Sequence, residues 1–283
     1  QGTPTMGGIF FIPTGIIISN ILYLNIENYN IIFTLSFVIM FFMFIGFIDD
    51  FLSLKKHLNT GLSSDQKILL QFFISIIFII MCASNNLITH NIQIANRIVN
   101  VGNLVYPIGI FVLLAESNST NLTDGLDGLL SGCSVLIFTG LAITILIDNP
   151  MNNSALAPFC IVMAGACMGF LFLNQYPAKL FMGDSGSLAI GASLGSIALI
   201  SNHLWSLLIM GGIFAAESIS VIIQVSVFKI SKRLKGNGYK LFLMTPLHHH
   251  FELQGNNEIK IVGSFWLVTL ILVLINIIFS IKF

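Results

Sequence analysis

The chain has 283 residues, 55% of them hydrophobic and only 8% charged. A water-soluble fold of this length would have too little polar surface to cover its apolar interior, so the composition excludes an ordinary soluble domain and places the chain in a membrane. The formal net charge is zero, and no nucleic-acid partner is expected.

Crossing about 30 Å of hydrocarbon takes roughly 20 apolar residues. Nine such runs are read in chain order, at 8–24, 31–48, 68–84, 104–115 with its flanks, 129–147, 155–173, 186–202, 204–228 and 261–281. They predict an all-α, polytopic membrane protein, with residues 1–283 as one domain. The fourth run is short and the seventh is rich in glycine. The chain opens on Gln1 and shows no signal peptide, so an N-terminal piece is expected to precede it.

Charge is distributed unevenly once these spans are drawn. Lys55, Lys56, Lys67, Lys179, Lys229, Lys232, Arg233, Lys235, Lys240 and Lys260 fall on one side, and only Arg97 and Lys282 on the other. The positive-inside rule makes the first side cytoplasmic. Cys82, Cys133, Cys160 and Cys167 lie in or beside apolar runs without metal-ligand spacing and read as packing residues. Asn118 and Asn121 fit the glycosylation pattern, but on the predicted cytoplasmic face that match carries no weight.

Most of the acids gather on the lysine-rich side, where apolar runs end: "FIGFIDDF", "NLTDGLDGLL" and "LFMGDSGSL". A carboxylate at membrane depth costs about 2.5–3.5 kcal/mol and is seldom kept without a partner or a cation. Asp124 and Asp127 would share one face of a helical first turn if the next helix starts early, where the helix dipole alone would favour them. Asp49 and Asp50 end a span, where the dipole disfavours anions, which points to a bound cation or a base. Asp184 sits between Gly183 and Gly186 and can supply a hard oxygen ligand, or serve simply as an acidic cap. Magnesium is the expected cation, because it binds through one or two carboxylates plus substrate phosphates. No P-loop motif is present, while "GTPTMGG" offers backbone N–H groups and the hydroxyls of Thr3 and Thr5 to an anion.

"GTPTMGG", "GFIDDF", "NLTDGLDGL", "FMGDSGSL" and "PLHHHFE", in that order between spans, closely resemble the phospho-N-acetylmuramoyl-pentapeptide transferase family. The likeness extends from residue 2 to about residue 270. The aspartate pair and the "DG.DG" loop are shared with the wider polyprenyl-phosphate sugar-1-phosphate transferase superfamily, and "GTPTMGG" and the triple histidine discriminate within it.

The resemblance implies ten transmembrane helices, of which this chain carries nine, a cleft facing the cytoplasm of a bacterial inner membrane, and a homodimer. It implies magnesium-dependent transfer of phospho-N-acetylmuramoyl-pentapeptide from its UDP carrier to undecaprenyl phosphate, giving lipid I and UMP in peptidoglycan synthesis. By motif, the catalytic residues are Asp49, Asp50, Asp184 and His248, and Asp184 is the magnesium ligand. Substrate contacts fall on Asn121, Asp124, Asp127, Asn174, Phe181, Lys67, His249 and His250. The stretch after the aspartate pair departs from the pattern, with His57 and Thr60 where lysines are expected, and "KISKRLKGNGYK" is long for the family.

Two other functions fit part of this pattern. Transfer of N-acetylglucosamine-1-phosphate to the same lipid uses the same superfamily motifs. A transporter or channel would also hold intramembrane acids such as Glu217, but its acids would line a path through the bilayer midplane rather than gather at one face. Glu217 reads as a buried, paired structural residue.

Overall fold

The computed structural model describes residues 2–23, 29–56, 61–94, 97–148 and 155–282, so His57 and Thr60 lie outside the described residues. It is mostly helical: α1 (Gly8–Tyr23), α2 (Tyr29–Lys56), α3 (Ser64–Ser84), α4 (Val105–Thr123), α5 (Leu129–Asp148), α6 (Leu156–Asn174), α7 (Asp184–Ile200), α8 (Leu204–Met210), α9 (Gly212–Lys235), α10 (Leu247–Leu253) and α11 (Glu258–Lys282). Six of these, α2, α3, α5, α6, α9 and α11, are long and apolar enough to cross a membrane, and α1 and α7 are shorter apolar helices. Large apolar side chains such as Phe10, Phe33, Phe44, Phe111 and Phe172 point outward, a surface that suits hydrocarbon and not water.

The centre of the bundle is α7. Its sequence, "DSGSLAIGASLGSIALI", is built from small residues, and every side chain from Ser185 to Leu199 is buried. Small side chains let neighbouring backbones approach closely, and α2 and α4 pack against α7 on two sides. Helix α5 pairs with α6 and α11, while α1 closes the bundle against α6 and α2. All four cysteines are buried and free.

Four sequence readings need correction. The run 204–228 is two helices, broken at Gly211, because hydropathy is continuous there but two adjacent glycines weaken the helix and let its axis change. The fourth run extends to Thr123, so "ESNSTNLT" is helical, and its polar groups are satisfied across the bundle: Asn118 Nδ2 donates to Gln71 Oε1 at 2.7 Å, and Thr120 Oγ1 to the Ser187 carbonyl at 2.9 Å. Helix α2 continues to Lys56, so Asp49 and Asp50 lie inside it, not at its end. Asp124 follows the last residue of α4, and α5 begins only at Leu129, so Asp124 and Asp127 share no helical first turn. An antiparallel hairpin, β1 (Asn91–Ile94) and β2 (Arg97–Asn100), was not anticipated at all.

Candidate active site

The site is organised around the first turn of α7, whose free N–H groups need acceptors. Gly183 precedes the helix with φ +73°, a conformation that favours glycine, and it turns the chain sharply into Asp184. Asp50 then caps α7 from another helix: its Oδ1 accepts from Asp184 N and its Oδ2 from Ser185 N, each at 3.1 Å. A carboxylate there satisfies two N–H groups and meets the positive end of the helix dipole. Gly46 makes this approach available, because a Cβ at that position would lie 2.1 Å from the Asp184 carbonyl oxygen.

One turn before Asp50, Gly46 is thus a packing residue. Asp49, beside Asp50, faces a cation. Helix α3 starts with a capping box in which Ser63 Oγ accepts from Gln66 N and Gln66 Oε1 from Ser63 N, a reciprocal arrangement that fixes a helix start. It positions Lys67, whose Nζ lies 2.5 Å from Asp184 Oδ2 and 3.3 Å from Asp49 Oδ1. Asp49 Oδ1 also accepts from Leu62 N at 2.8 Å. The other Asp184 oxygen accepts from Asn121 Nδ2 at 2.8 Å, and the same amide reaches Ser187 Oγ at 2.9 Å. Two carboxylates from different helices therefore share one ammonium, with a neutral amide completing the set.

A cavity of about 310 Å³ opens beside this cluster, and Thr5, Asn121, Asp124, Asp127, Phe181 and Asp184 line it together with Asn174. The N-terminal stretch reaches it by backbone pairing, Phe181 N donating to the Pro4 carbonyl and Gly7 N to that of Phe181. Phe181 stands 43% exposed, an open aromatic face on the cleft. Asp124 is half-buried, and desolvation followed by the facing carboxylates of Asp184, Asp50 and Asp127 pushes its acid up to about 8. Asp127 is held by two bonds, its Oδ2 accepting from Ala178 N at 2.8 Å and its own N donating to Glu258 Oε1 at 2.7 Å.

Asn174 is buried and ties the walls together. Its Oδ1 accepts from Gly128 N and Ser131 Oγ, and its Nδ2 donates to the Leu180 carbonyl. That leaves a single amide N–H for any ligand, so most of this residue's hydrogen bonding shapes the cleft.

The three histidines of α10 separate into three roles. His248 is 1% exposed, its Nδ1 lies 3.2 Å from Glu217 Oε1, and its Nε2 is buried without a partner among the described residues. That Nε2 abuts Gly125, between Asp124 and Asp127: a Cβ on Gly125 would fall 2.1 Å from it. His249 is half-buried and pairs with Glu252 Oε2 at 2.6 Å. His250 is not brought to the acids. Its Nδ1 accepts from Leu243 N, its Nε2 meets Gln254 Nε2, and it lines a different recess with Lys240 and Phe242. Its Nδ1 helps to hold the loop before α10, and it is not among the residues that line the cleft beside Asp184.

Among the described residues, no three His, Cys, Asp or Glu side chains converge closely enough to hold a metal by themselves. The donors at Asp49 and Asp184 are hard oxygens, and a lysine ammonium already occupies the position between them, so the place suits a cation. Hard oxygen donors of this kind would fit magnesium, which binds through one or two carboxylates plus substrate phosphates. Sequence reading missed Gly46 and Glu258. "GFIDDF" held the signal for the first, a glycine one helical turn before the acids, whereas nothing local to Glu258 indicates that it meets Asp127.

The chain is similar to known proteins along its whole length. Residues 32–202 match the model of glycosyl transferase family 4, and residues 1–12 match phospho-N-acetylmuramoyl-pentapeptide-transferase signature 1. A phospho-N-acetylmuramoyl-pentapeptide-transferase of Prochlorococcus marinus (strain NATL2A) is 85% identical over 100% of this chain and 76% of its own length. One from another strain of Prochlorococcus marinus is 53% identical over 95% of this chain and 74% of the relative, and one from Synechococcus sp. (strain CC9605) is 49% identical over 98% and 79%.

Proposed function

Because this chain belongs to the phospho-N-acetylmuramoyl-pentapeptide-transferase family, we propose that the Asp49–Lys67–Asp184 cluster carries its reaction. The protein is a multi-pass membrane enzyme that transfers the phospho-N-acetylmuramoyl-pentapeptide group to a lipid carrier in peptidoglycan synthesis. The donor is the UDP-linked sugar peptide and the acceptor undecaprenyl phosphate. Residues 1–283 act as one transferase domain. The cleft faces the cytoplasm from a bacterial inner membrane, in keeping with the ten basic residues read on that side, and the protein works as a homodimer.

Phosphoryl transfer is accelerated chiefly by positioning and charge neutralisation. Lys67 gathers the donor diphosphate, and Asp184, held by Asn121, is the residue that would ligate magnesium. Bound there, magnesium would neutralise charge on the diphosphate. Phe181 offers its exposed face to the uracil ring, and Asp124 and Asp127 border the nucleotide-sugar cleft. His248 presents Nε2 to the Gly125 backbone, between Asp124 and Asp127 of the cleft.

Asp49 and Asp50 have different tasks. Asp50 has both oxygens on the α7 cap, whereas one Asp49 oxygen has no backbone donor among the described residues. Asp49 therefore orients the acceptor phosphate and takes its proton when it arrives singly protonated. An acceptor oxygen then bonds to the sugar-side phosphorus, the bond from that phosphorus to the UMP oxygen breaks, and UMP leaves with the electron pair. The observation that carries this reading is the shared ammonium between Asp49 and Asp184.

The test is transfer of radiolabel to undecaprenyl phosphate by purified protein, comparing UDP-N-acetylmuramoyl-pentapeptide with UDP-N-acetylglucosamine. Turnover of the first alone, dependent on magnesium and abolished by Asp184→Asn, is expected. Turnover of N-acetylglucosamine nucleotide instead would overturn the substrate assignment, and a burst of UMP without lipid acceptor would replace direct attack with a covalent aspartyl route.

A further inference from the structure

A second polar centre lies at the far end of the bundle. Helix α5 leaves the catalytic loop at Leu129 and ends at Asp148, about 28 Å away at roughly 1.5 Å per residue. Helix α7 leaves Asp184 and delivers His203 just past its end, and α11 leaves Glu258, which bonds Asp127, and carries Asn276 five turns on. All three helices thus lead from the acids to one place, a membrane thickness away.

There they border a cavity of about 480 Å³, larger than the catalytic cleft. His203 Nε2 lies 2.9 Å from Asp148 Oδ2, and its Nδ1 is buried with no partner among the described residues although His203 lines the cavity. Asn202 Oδ1 accepts from Gln93 N and Asn276 Nδ2 donates to Thr144 Oγ1, and among the described residues this leaves the Asn202 amide N–H groups and the Asn276 Oδ1 for a ligand. The Gln93 side chain also borders the space.

Among the described residues no lysine or arginine lines this cavity, and the single formal charge there, Asp148, already faces an imidazole. A phosphate would meet a carboxylate and no cation. An uncharged ligand with several hydroxyls would instead donate to and accept from the same amides. Trp205 and Phe279, 38% and 56% exposed, flank the polar floor at this level, as aromatic residues do at a membrane interface, and they provide an apolar wall for a chain attached to such a headgroup.

We propose that this cavity binds a lipid with a neutral, hydroxyl-rich headgroup, such as a glycosyl headgroup, at the membrane face opposite the catalytic acids. His203 Nδ1 and the Asn202 and Asn276 amides contact the hydroxyls, Asp148 holds the imidazole, and Trp205 stacks against the headgroup ring.

The full chain, purified in an amine-oxide detergent that carries no sugar, is mixed in turn with monoglucosyl diacylglycerol, phosphatidylglycerol and phosphatidylethanolamine, and retained lipid is counted by native mass spectrometry. The glucosyl lipid should be retained about tenfold more strongly than either phospholipid, and His203→Ala should erase that preference. Gln93→Leu, at a half-buried side chain on the cavity wall, is the second variant should His203→Ala fold poorly, and it should weaken retention several-fold while transferase turnover stays within twofold. Equal retention of all three lipids, or a preference for the glucosyl lipid that both variants keep, would overturn the proposal. A preference for phosphatidylethanolamine would also overturn it and make Asp148 an ammonium site.

Discussion

Glu217 is the residue through which the histidine motif can be tested. Its carboxylate is fully buried and accepts three hydrogen bonds, from Leu247 N, from His248 N at 3.2 Å and from His248 Nδ1 at 3.2 Å. It therefore fixes the start of α10 and the orientation of one imidazole together. With a carboxylate at Nδ1 the proton stays on that nitrogen, and Nε2 becomes the free end of the ring beneath Gly125. Glu217→Ala strips three donors of their acceptor, a loss of about 3–5 kcal/mol by analogy with a buried pair broken at one partner. That is a large part of an ordinary stability margin of about 5–15 kcal/mol, so this variant should yield little folded protein. Glu217→Gln keeps the shape and one acceptor oxygen, but its amide turns N–H groups toward a donor; one lost bond costs about 1–3 kcal/mol. Its melting temperature should fall by several degrees. Its kcat should fall about ten- to a hundredfold, as when an outer-shell partner of a working histidine is removed, with KM for the nucleotide sugar little changed. Transfer kinetics and scanning fluorimetry on the same detergent-purified sample measure both. A Glu217→Gln protein that melts lower yet turns over at the wild-type rate would refute the positioning role and leave Glu217 purely structural.

Three further substitutions probe the acids and their cation. Asp50→Asn should remove the carboxylate cap of α7 and lower stability by about 1 kcal/mol, while Asp49→Asn should leave the melting temperature near wild type and abolish most turnover; the reverse pattern would exchange their roles. Lys67→Gln leaves Asp49 and Asp184 facing each other without the ammonium, so turnover should fall at least about tenfold and recover in part at high magnesium, whereas a loss indifferent to magnesium would contradict the shared-cation reading. Asp124 carries a folded-state acid raised from 3.8 to about 8, so the folded protein binds the proton more tightly than the unfolded chain. Its contribution to stability is therefore present below about pH 4 and is lost as pH rises through about 8. The melting temperature of substrate-free protein should fall across that window, and Asp124→Asn should flatten the fall.

The helices were legible because hydropathy reports which segments leave water, and it does so residue by residue. What it reports poorly is polarity hidden by partners from other helices. "ESNSTNLT" reads as a loop from its own composition, yet Asn118, Thr120 and Asn121 find their partners on Gln71, Ser187 and Asp184, which are 47, 67 and 63 residues away. The same limitation hid the break at Gly211, since 204–228 stays apolar across it, and the hairpin at 91–100, whose two four-residue strands are too short to show a period.

The identities of the site residues were legible for a different reason, namely that carboxylates at membrane boundaries are expensive and so stand out. Their roles were not, because a role depends on which neighbour each oxygen meets. Asp49 and Asp50 are consecutive and chemically identical, but a helix turns about 100° per residue, so one carboxylate faces Lys67 while the other reaches the N–H groups of α7. The dipole that Asp50 meets is that of α7, not that of α2. Asp50 sits well inside α2 and at the positive end of α7, where two N–H groups and the helix dipole offset part of the cost of burying it. A close approach at Gly46 turns an apparent electrostatic liability into the bond that holds Asp184 in place, and it leaves Asp49 as the acid with chemistry to spare.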